Sequence, residues 1–333
     1  MLFFNITAFI SIFGSLNKTL KFIKFMAAGG STLSIIAAII ANLLIAILKF
    51  VAASFTASTA MFSEGIHSVI DTTNGLLLLY GIKRSKKGAD KMHPFGHGKE
   101  IYFWSFVVAI FIFSLGGIVA IYEGVKHILH PITETNHSNI MWNYGVIIGA
   151  MLFEGTSLRI AIKQFRKIYP IGFTSALIES KDAATFSIII EETAALAGLF
   201  IALVGVTLTY FLDNAIYDAY ASVAIGLLLI YVAYFMARET QNLLVGETAS
   251  EADLKMISDI IDDYKEIEFF GNLRSMHLGP DEVMVGVEVN FKDDLKVREL
   301  ERVVADIKRR IREKDDKFTH VYLESNSITE SEY

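Results

Sequence analysis

The stretch FSEGIHSVIDTTNG, residues 62–75, sets Glu64, His67 and Asp71 into a segment whose other residues suit lipid. The three polar residues recur at spacings of three and four, so a helix carries them on one face. An ionisable group at mid-bilayer costs at least about 2.5–3.5 kcal/mol, which makes each of them a functional candidate. That conclusion requires the surrounding chain to be a membrane protein.

The composition supports this. The chain has 333 residues, 53% of them hydrophobic, where soluble domains carry about 45–50%. The excess lies before residue 240. A bilayer-spanning helix needs about 20 mainly apolar residues, and six segments qualify: 31–53, 57–82, 101–126, 141–163, 183–210 and 215–237. Lys18, Lys21 and Lys24 precede the first. Lys83, Arg84, Lys86, Lys87, Lys91 and Lys99 follow the second, and Lys163, Arg166 and Lys167 follow the fourth. The alternate loops, 128–140 and 211–214, contain no Lys or Arg. The positive-inside rule therefore places both termini and the basic loops in the cytoplasm.

Residues 250–325 read differently. Leu254, Ile257, Ile260 and Ile261 have helical spacing, and Val283, Val285, Val287 and Val289 alternate as in a half-buried strand. A strand near 272–278 precedes the turn-like GPDE, a charged helix covers 295–313, and FTHVYLE reads as a last strand. The expected fold is an all-α six-helix transmembrane domain followed by a small cytoplasmic α+β domain, αββαβ and ferredoxin-like. Its divisions are an N-terminal cytoplasmic segment 1–25, the transmembrane domain 26–240, the cytoplasmic domain 241–325 and a flexible tail 326–333. The cell (inner) membrane is the expected location.

Several classes are excluded or disfavoured. A net charge of −6 gives no support for nucleic-acid binding, and the absence of cysteine removes the thiolates of a soft Cu(I) site. Residues 1–14 are apolar but lack a basic leader and a small-residue cleavage site, so no cleaved signal peptide is expected.

In the second span His67 and Asp71 follow Ser58 by nine and thirteen residues, and in the fifth Glu191 and Glu192 follow Asp182 by nine and ten. At about 1.5 Å per residue all four reach mid-bilayer. Two readings are open. One nitrogen and several carboxylate oxygens suit a divalent transition metal such as Zn²⁺, held at about 2.0–2.2 Å. A His–Asp hydrogen bond among protonated carboxyls needs no ion. Glu191 and Glu192 differ by about 100° around the helix, so the spacing leaves open which of them faces the site. Glu64, nearer the outer end, reads as an entry or gate residue. Asn74 reads as helix–helix glue or an outer-sphere partner, and Glu154 and Arg159 on the fourth span receive no role. Asp90, His93 and His97 in ADKMHPFGHGKE form a second candidate metal site, beside the alternative of a tight turn with backbone-bonded histidines.

Residues 63–100, SEGIHSVIDTTNGLLLLYGIKRSKKGADKMHPFGHGKE, resemble the second helix and following loop of the cation diffusion facilitators. The six spans and the small C-terminal domain match as well, over residues 25–325. The resemblance implies proton-coupled export of a divalent metal by alternating access in a homodimer joined through the C-terminal domain, with H⁺ as coupling ion. It assigns His67 and Asp71 half of the transport site. Most relatives carry His-X₃-Asp on the fifth helix, whereas here Ile188 and Glu192 occupy those positions, as in a divergent branch with acidic residues, and Glu191 compensates. So hard a site keeps Mn²⁺, Fe²⁺ and Co²⁺ open beside Zn²⁺. The resemblance also implies metal binding at Asp90 and His97 in some members. It implies an interfacial ion pair for Lys99, with Glu247 the nearest acid. Tyr322 stands where a metal-binding His is common, so dimerisation without a metal cluster is expected of the C-terminal domain. Two other classes compete: an intramembrane metalloenzyme, which lacks a His-Glu-X₂-His motif here, and a non-transporting metal sensor or scaffold.

Overall fold

The computed structural model describes residues 32–130, 140–168 and 183–325. The expected N-terminal segment 1–25, with Lys18, Lys21 and Lys24, and the tail 326–333 lie outside these. Among the described residues six long helices come first: α1 (Thr32–Thr56), α2 (Thr59–Ser85), α3 (Glu100–Leu129), α4 (Ile140–Ile168), α5 (Ala183–Leu212) and α6 (Ile216–Val245). Pro94 and Pro280 lie outside them, as expected of a residue that removes a helical donor. Within α3, Ile112–Gly117 forms a π-helical turn.

Four of the helices contain a span long and apolar enough to cross a membrane: α3, α4 over Asn143–Lys163, α5 over Phe186–Leu212, and α6. The apolar stretch described in α1, Asn42–Thr56, is shorter. α2 has the length, but Glu64, His67 and Asp71 interrupt its apolar character. Large apolar side chains such as Leu44, Leu76, Phe200, Leu227 and Tyr231 are exposed, the surface that lipid would cover.

Contacts divide the described residues into two compact units. The first comprises residues 32–81, 104–130, 140–168 and 184–238. Its α1–α2 turn passes through Ala57 at φ 53°, a left-handed conformation that costs a non-glycine residue about 1–2 kcal/mol. Asp218 of α6 fixes the turn. Its carboxylate accepts from Ser58 Oγ at 2.8 Å, Thr59 Oγ1 at 2.8 Å and Ala60 N at 3.1 Å, so one buried anion caps the N-terminus of a neighbouring helix. One turn on, Ser63 and Ser222 hydroxyls meet at 2.6 Å, and Ser222 donates to the Ala120 carbonyl at 2.9 Å. These bonds tie α2, α6 and α3 together.

The second unit comprises residues 82–103 and 239–325. It holds α7 (Glu251–Asp262), β1 (Ile267–Phe270), β2 (Arg274–Gly279), β3 (Glu282–Phe291), α8 (Val297–Lys314) and β4 (His320–Ser325). β3 is the central strand: β1 and β2 pair antiparallel along it, and β4 pairs with it in parallel. The β2–β3 hairpin turns at Pro280–Asp281, with Gly279 opposite Glu282. Val283, Val285, Val287 and Val289 are all buried against Ile257, Ile261, Ile307 and Ile311, so the alternation read from sequence marks the core face. The expected αββαβ order gains one short strand, β1, directly after its first helix. Ser250 caps α7 by accepting from Asp253 N, and Glu299 accepts from Lys296 N at the start of α8. The basic loop 86–99 packs onto this sheet. Phe95 stands edge-on to His320 at 5.2 Å, and Gly98 lies so near the Leu278 carbonyl oxygen that a Cβ there would come within 2.5 Å of it.

Candidate metal centre

In the first unit, α2 presents Glu64, His67, Ser68, Asp71 and Asn74 along its buried side. His67 Nδ1 stands 3.6 Å from Asp71 Oδ1, beyond normal hydrogen-bond range. Both His67 nitrogens and Asp71 Oδ1 lack a hydrogen-bond partner among the described residues. Buried polar atoms are nearly always paired, so such orphans need an explanation such as an ion. The geometry disfavours the reading in which His67 and Asp71 merely satisfy one another.

The fifth helix brings both of its glutamates inward. Glu191 lies beside Asn74 and within the field of Asp71. The Asn74 amide nevertheless meets no partner at full hydrogen-bond geometry among the described residues. Glu192 accepts from Ser157 Oγ of α4 at 2.6 Å, and its Oε2 is unpartnered among the described residues. One turns toward α2 and the other toward α4, and both carboxyls sit in the same interior.

Two residues were missed. Glu154, given no role from sequence, is buried on α4 with its carboxyl against that of Glu192. Lys49 of α1 is completely buried. Its ammonium donates to Glu64 Oε2 at 3.0 Å and Ser68 Oγ at 2.8 Å. Glu64, read as an entry or gate residue nearer the outer end, is fully buried and ion-paired. The signal was present, since a lone lysine in AILKFVAA, residues 46–53, is as costly in lipid as an acid.

Four helices thus enclose five carboxyl groups, one imidazole and one ammonium. Lys49 feels the charges of Glu64, Glu154 and Asp71, while Asp71 feels those of Glu191, Glu154, Lys49 and Glu64. So many acids at low dielectric repel one another and stay together only with cations or protons among them. A mixed nitrogen and oxygen donor set of this kind suits a divalent transition metal.

In the second unit, Asp90, His93 and His97 offer ligand atoms all within 4.8 Å of one another. Asp90 Oδ1 accepts from His93 N at 2.8 Å and Met92 N at 3.0 Å, and Oδ2 accepts from Lys87 Nζ at 2.8 Å. His97 Nε2 lies 3.1 Å from Oδ2, and His93 Nδ1 lies 3.2 Å from Oδ1. The Lys87 ammonium first, then His97 and the His93 backbone, hold the Asp90 carboxyl far below the usual carboxylate range. The group stays ionised at neutral pH, and its stabilising contribution is lost only as pH falls through that depressed value. Lys99 Nζ donates to the Leu244 carbonyl at 3.3 Å and lies 3.6 Å from the Met276 sulfur.

Comparison with known proteins accords with this geometry. The family model of the cation efflux transmembrane domain matches residues 35–245, and that of the cation efflux protein cytoplasmic domain matches residues 249–326. The human proton-coupled zinc antiporter SLC30A9, mitochondrial, is 30% identical over 260 residues, covering 77% of this chain and 45% of the relative. Metal tolerance protein C4 of Arabidopsis thaliana is 30% identical over 260 residues, 77% of this chain and 56% of the relative. The manganese efflux system protein MneS of Bacillus subtilis (strain 168) is 23% identical over 289 residues, 86% of this chain and 92% of the relative. The chain thus spans about half the length of the human and plant relatives. With both family domains present in order, and an orphaned histidine and carboxylates buried among its helices, the chain is a member of the cation efflux family.

Proposed function

We propose that this protein is a transporter that carries a divalent transition-metal ion out of the cytoplasm in exchange for protons, by alternating access. The observation that carries the reading is the His67–Asp71 pair, whose His67 nitrogens and Asp71 Oδ1 are unpartnered among the described residues, buried near Glu191 and Glu192. His67 supplies the one nitrogen ligand, and Asp71, Glu191 and Glu192 supply oxygens. A metal requires a neutral imidazole and ionised carboxylates, so its binding expels protons, and protons arriving from the other side expel the metal. Zinc is the first candidate, in line with the name of the human relative. Manganese, iron and cobalt stand beside it because oxygen donors dominate, in line with the name of the bacterial relative.

The same proposal includes six spans with both termini cytoplasmic, supported by the basic bias of alternate loops. It includes a homodimer, supported by the match to the family's cytoplasmic domain, with the Lys99 region at the interface and Glu247 as its acid. The cell membrane is the proposed location, supported by the match along most of the bacterial efflux protein.

Purified protein in proteoliposomes should move Zn²⁺ or Mn²⁺ at a rate that follows an imposed pH gradient. Flux indifferent to the gradient, or no flux with any of the four metals, overturns the reading. A second ion at Asp90, His93 and His97 belongs to the same proposal, supported by their mutual approach within 4.8 Å. His97→Ala should then lower the metal-to-protein ratio by about one ion per chain while leaving gradient-driven flux in place. An unchanged ratio removes the second site.

A further inference from the structure

Lys49 is the one group in the buried cluster that no metal would choose as a ligand, and its placement asks for an account. Its ammonium bridges Glu64 and Ser68, one turn apart on α2, and neither end of the Lys49–Glu64 ion pair is exposed. Glu64 Oε1 has no partner among the described residues. A Cβ at residue 198 of α5, where the chain has glycine, would overlap that oxygen. Glu64 also lies one turn from His67 on the same helix face. Asp71 lies within the field of Glu64, so this carboxylate stands near any ion held at His67 and Asp71. The group that already holds the carboxylate is Lys49.

We propose that Lys49 is a positioning residue for transport: its tethered ammonium keeps Glu64 out of the cargo's coordination shell, so the ion meets few enough oxygens to leave again. This rests on the proposed function above. A transport site must bind well enough to load and weakly enough to unload. Five carboxyls around one dication favour loading, and a resident cation that claims one of them restores the balance. Removing the Lys49 charge would strengthen the field on the dication and release Glu64 to bind it.

Co²⁺ serves as the probe, titrated into the full-length protein in detergent and followed by its visible absorption. Wild type and Lys49→Arg should give the same spectrum. Lys49→Gln should bind Co²⁺ at least about tenfold tighter, with weaker bands that mark an added oxygen ligand. The double variant Lys49→Gln/Glu64→Gln removes both charges together, so it leaves no buried ion unpaired and should return to the wild-type spectrum and affinity. If the double variant loses a ligand relative to wild type, Glu64 already binds the metal and the inference fails, whether or not Lys49→Gln folds. Unchanged Co²⁺ binding in Lys49→Gln overturns it equally. A wild-type spectrum that ignores His67→Ala sinks the proposed function itself, and so the two failures are told apart.

Discussion

Proteoliposomes carrying Asp71→Ala are expected to show no metal flux above that of protein-free vesicles, under a pH gradient that drives the wild type. Asp71 stands among charged groups: the fields of Glu191, Glu154, Lys49 and Glu64 all converge on it. Its Oδ1 is unpartnered among the described residues and lies 3.6 Å from His67 Nδ1, so among those residues the alanine variant breaks no hydrogen bond at that oxygen. Removing one acid from a crowd of acids also leaves no new buried charge unpaired. The variant should therefore melt at or above the wild-type temperature while losing the ion. Groups that merely support a metal ligand cost 10–100-fold in affinity when removed, and a direct ligand should cost at least about 100-fold. Transport at half the wild-type rate or better would exclude Asp71 from the metal's path. Low flux with a lowered melting temperature would instead assign it to the fold.

What the sequence made legible followed from contrast with lipid. His67 and Asp71 stood out because they break an apolar helix at a spacing of four, a property of one helix alone. Val283 to Val289 stood out because alternation and a one-sided core are the same fact seen twice. Other features depend on which helix lies against which, and no single-helix period records that. Glu191 and Glu192 posed an apparent choice because one helix has one buried face, yet α5 is buried on both sides of that pair, by α2 and by α4. Nothing on its own helix marks Glu154, because its neighbour is Glu192 on another. Lys49 escaped because a search for ligands passes over ammonium groups, although its cost in lipid is that of any charge. Asp218 caps a helix about 160 residues away in sequence, a role invisible to local capping rules. β1 is only four residues long and pairs with the far end of β3, so it gives almost no alternation to read.

Gly226→Leu should abolish the folded protein, read as loss of the monodisperse peak in size-exclusion chromatography after detergent extraction. A Cβ at residue 226 would stand 2.8 Å from the Gly117 carbonyl oxygen and 2.9 Å from Ile121 N. Those are backbone atoms of α3, so a flexible side chain cannot simply swing aside. Gly124 meets α6 in the same way, with Ala219 O at 2.8 Å and Val223 N at 2.9 Å from where its own Cβ would be. Between helices in lipid the hydrophobic effect gives no help, and close packing of small residues carries the association. Forcing the backbones apart therefore forfeits the contact and stretches the Ser222 bond to the Ala120 carbonyl, now 2.9 Å. Overpacking by a few methylenes costs about 1–3 kcal/mol even in a core that can adjust, and here both sides are main chain. Gly226→Ala should fall between, still folded but melting at a lower temperature. A leucine variant that elutes and melts like the wild type would show that α3 and α6 separate freely. Asp218 and Ser222, on the same stretch of α6, would then lose their claim to hold α2 against its neighbours.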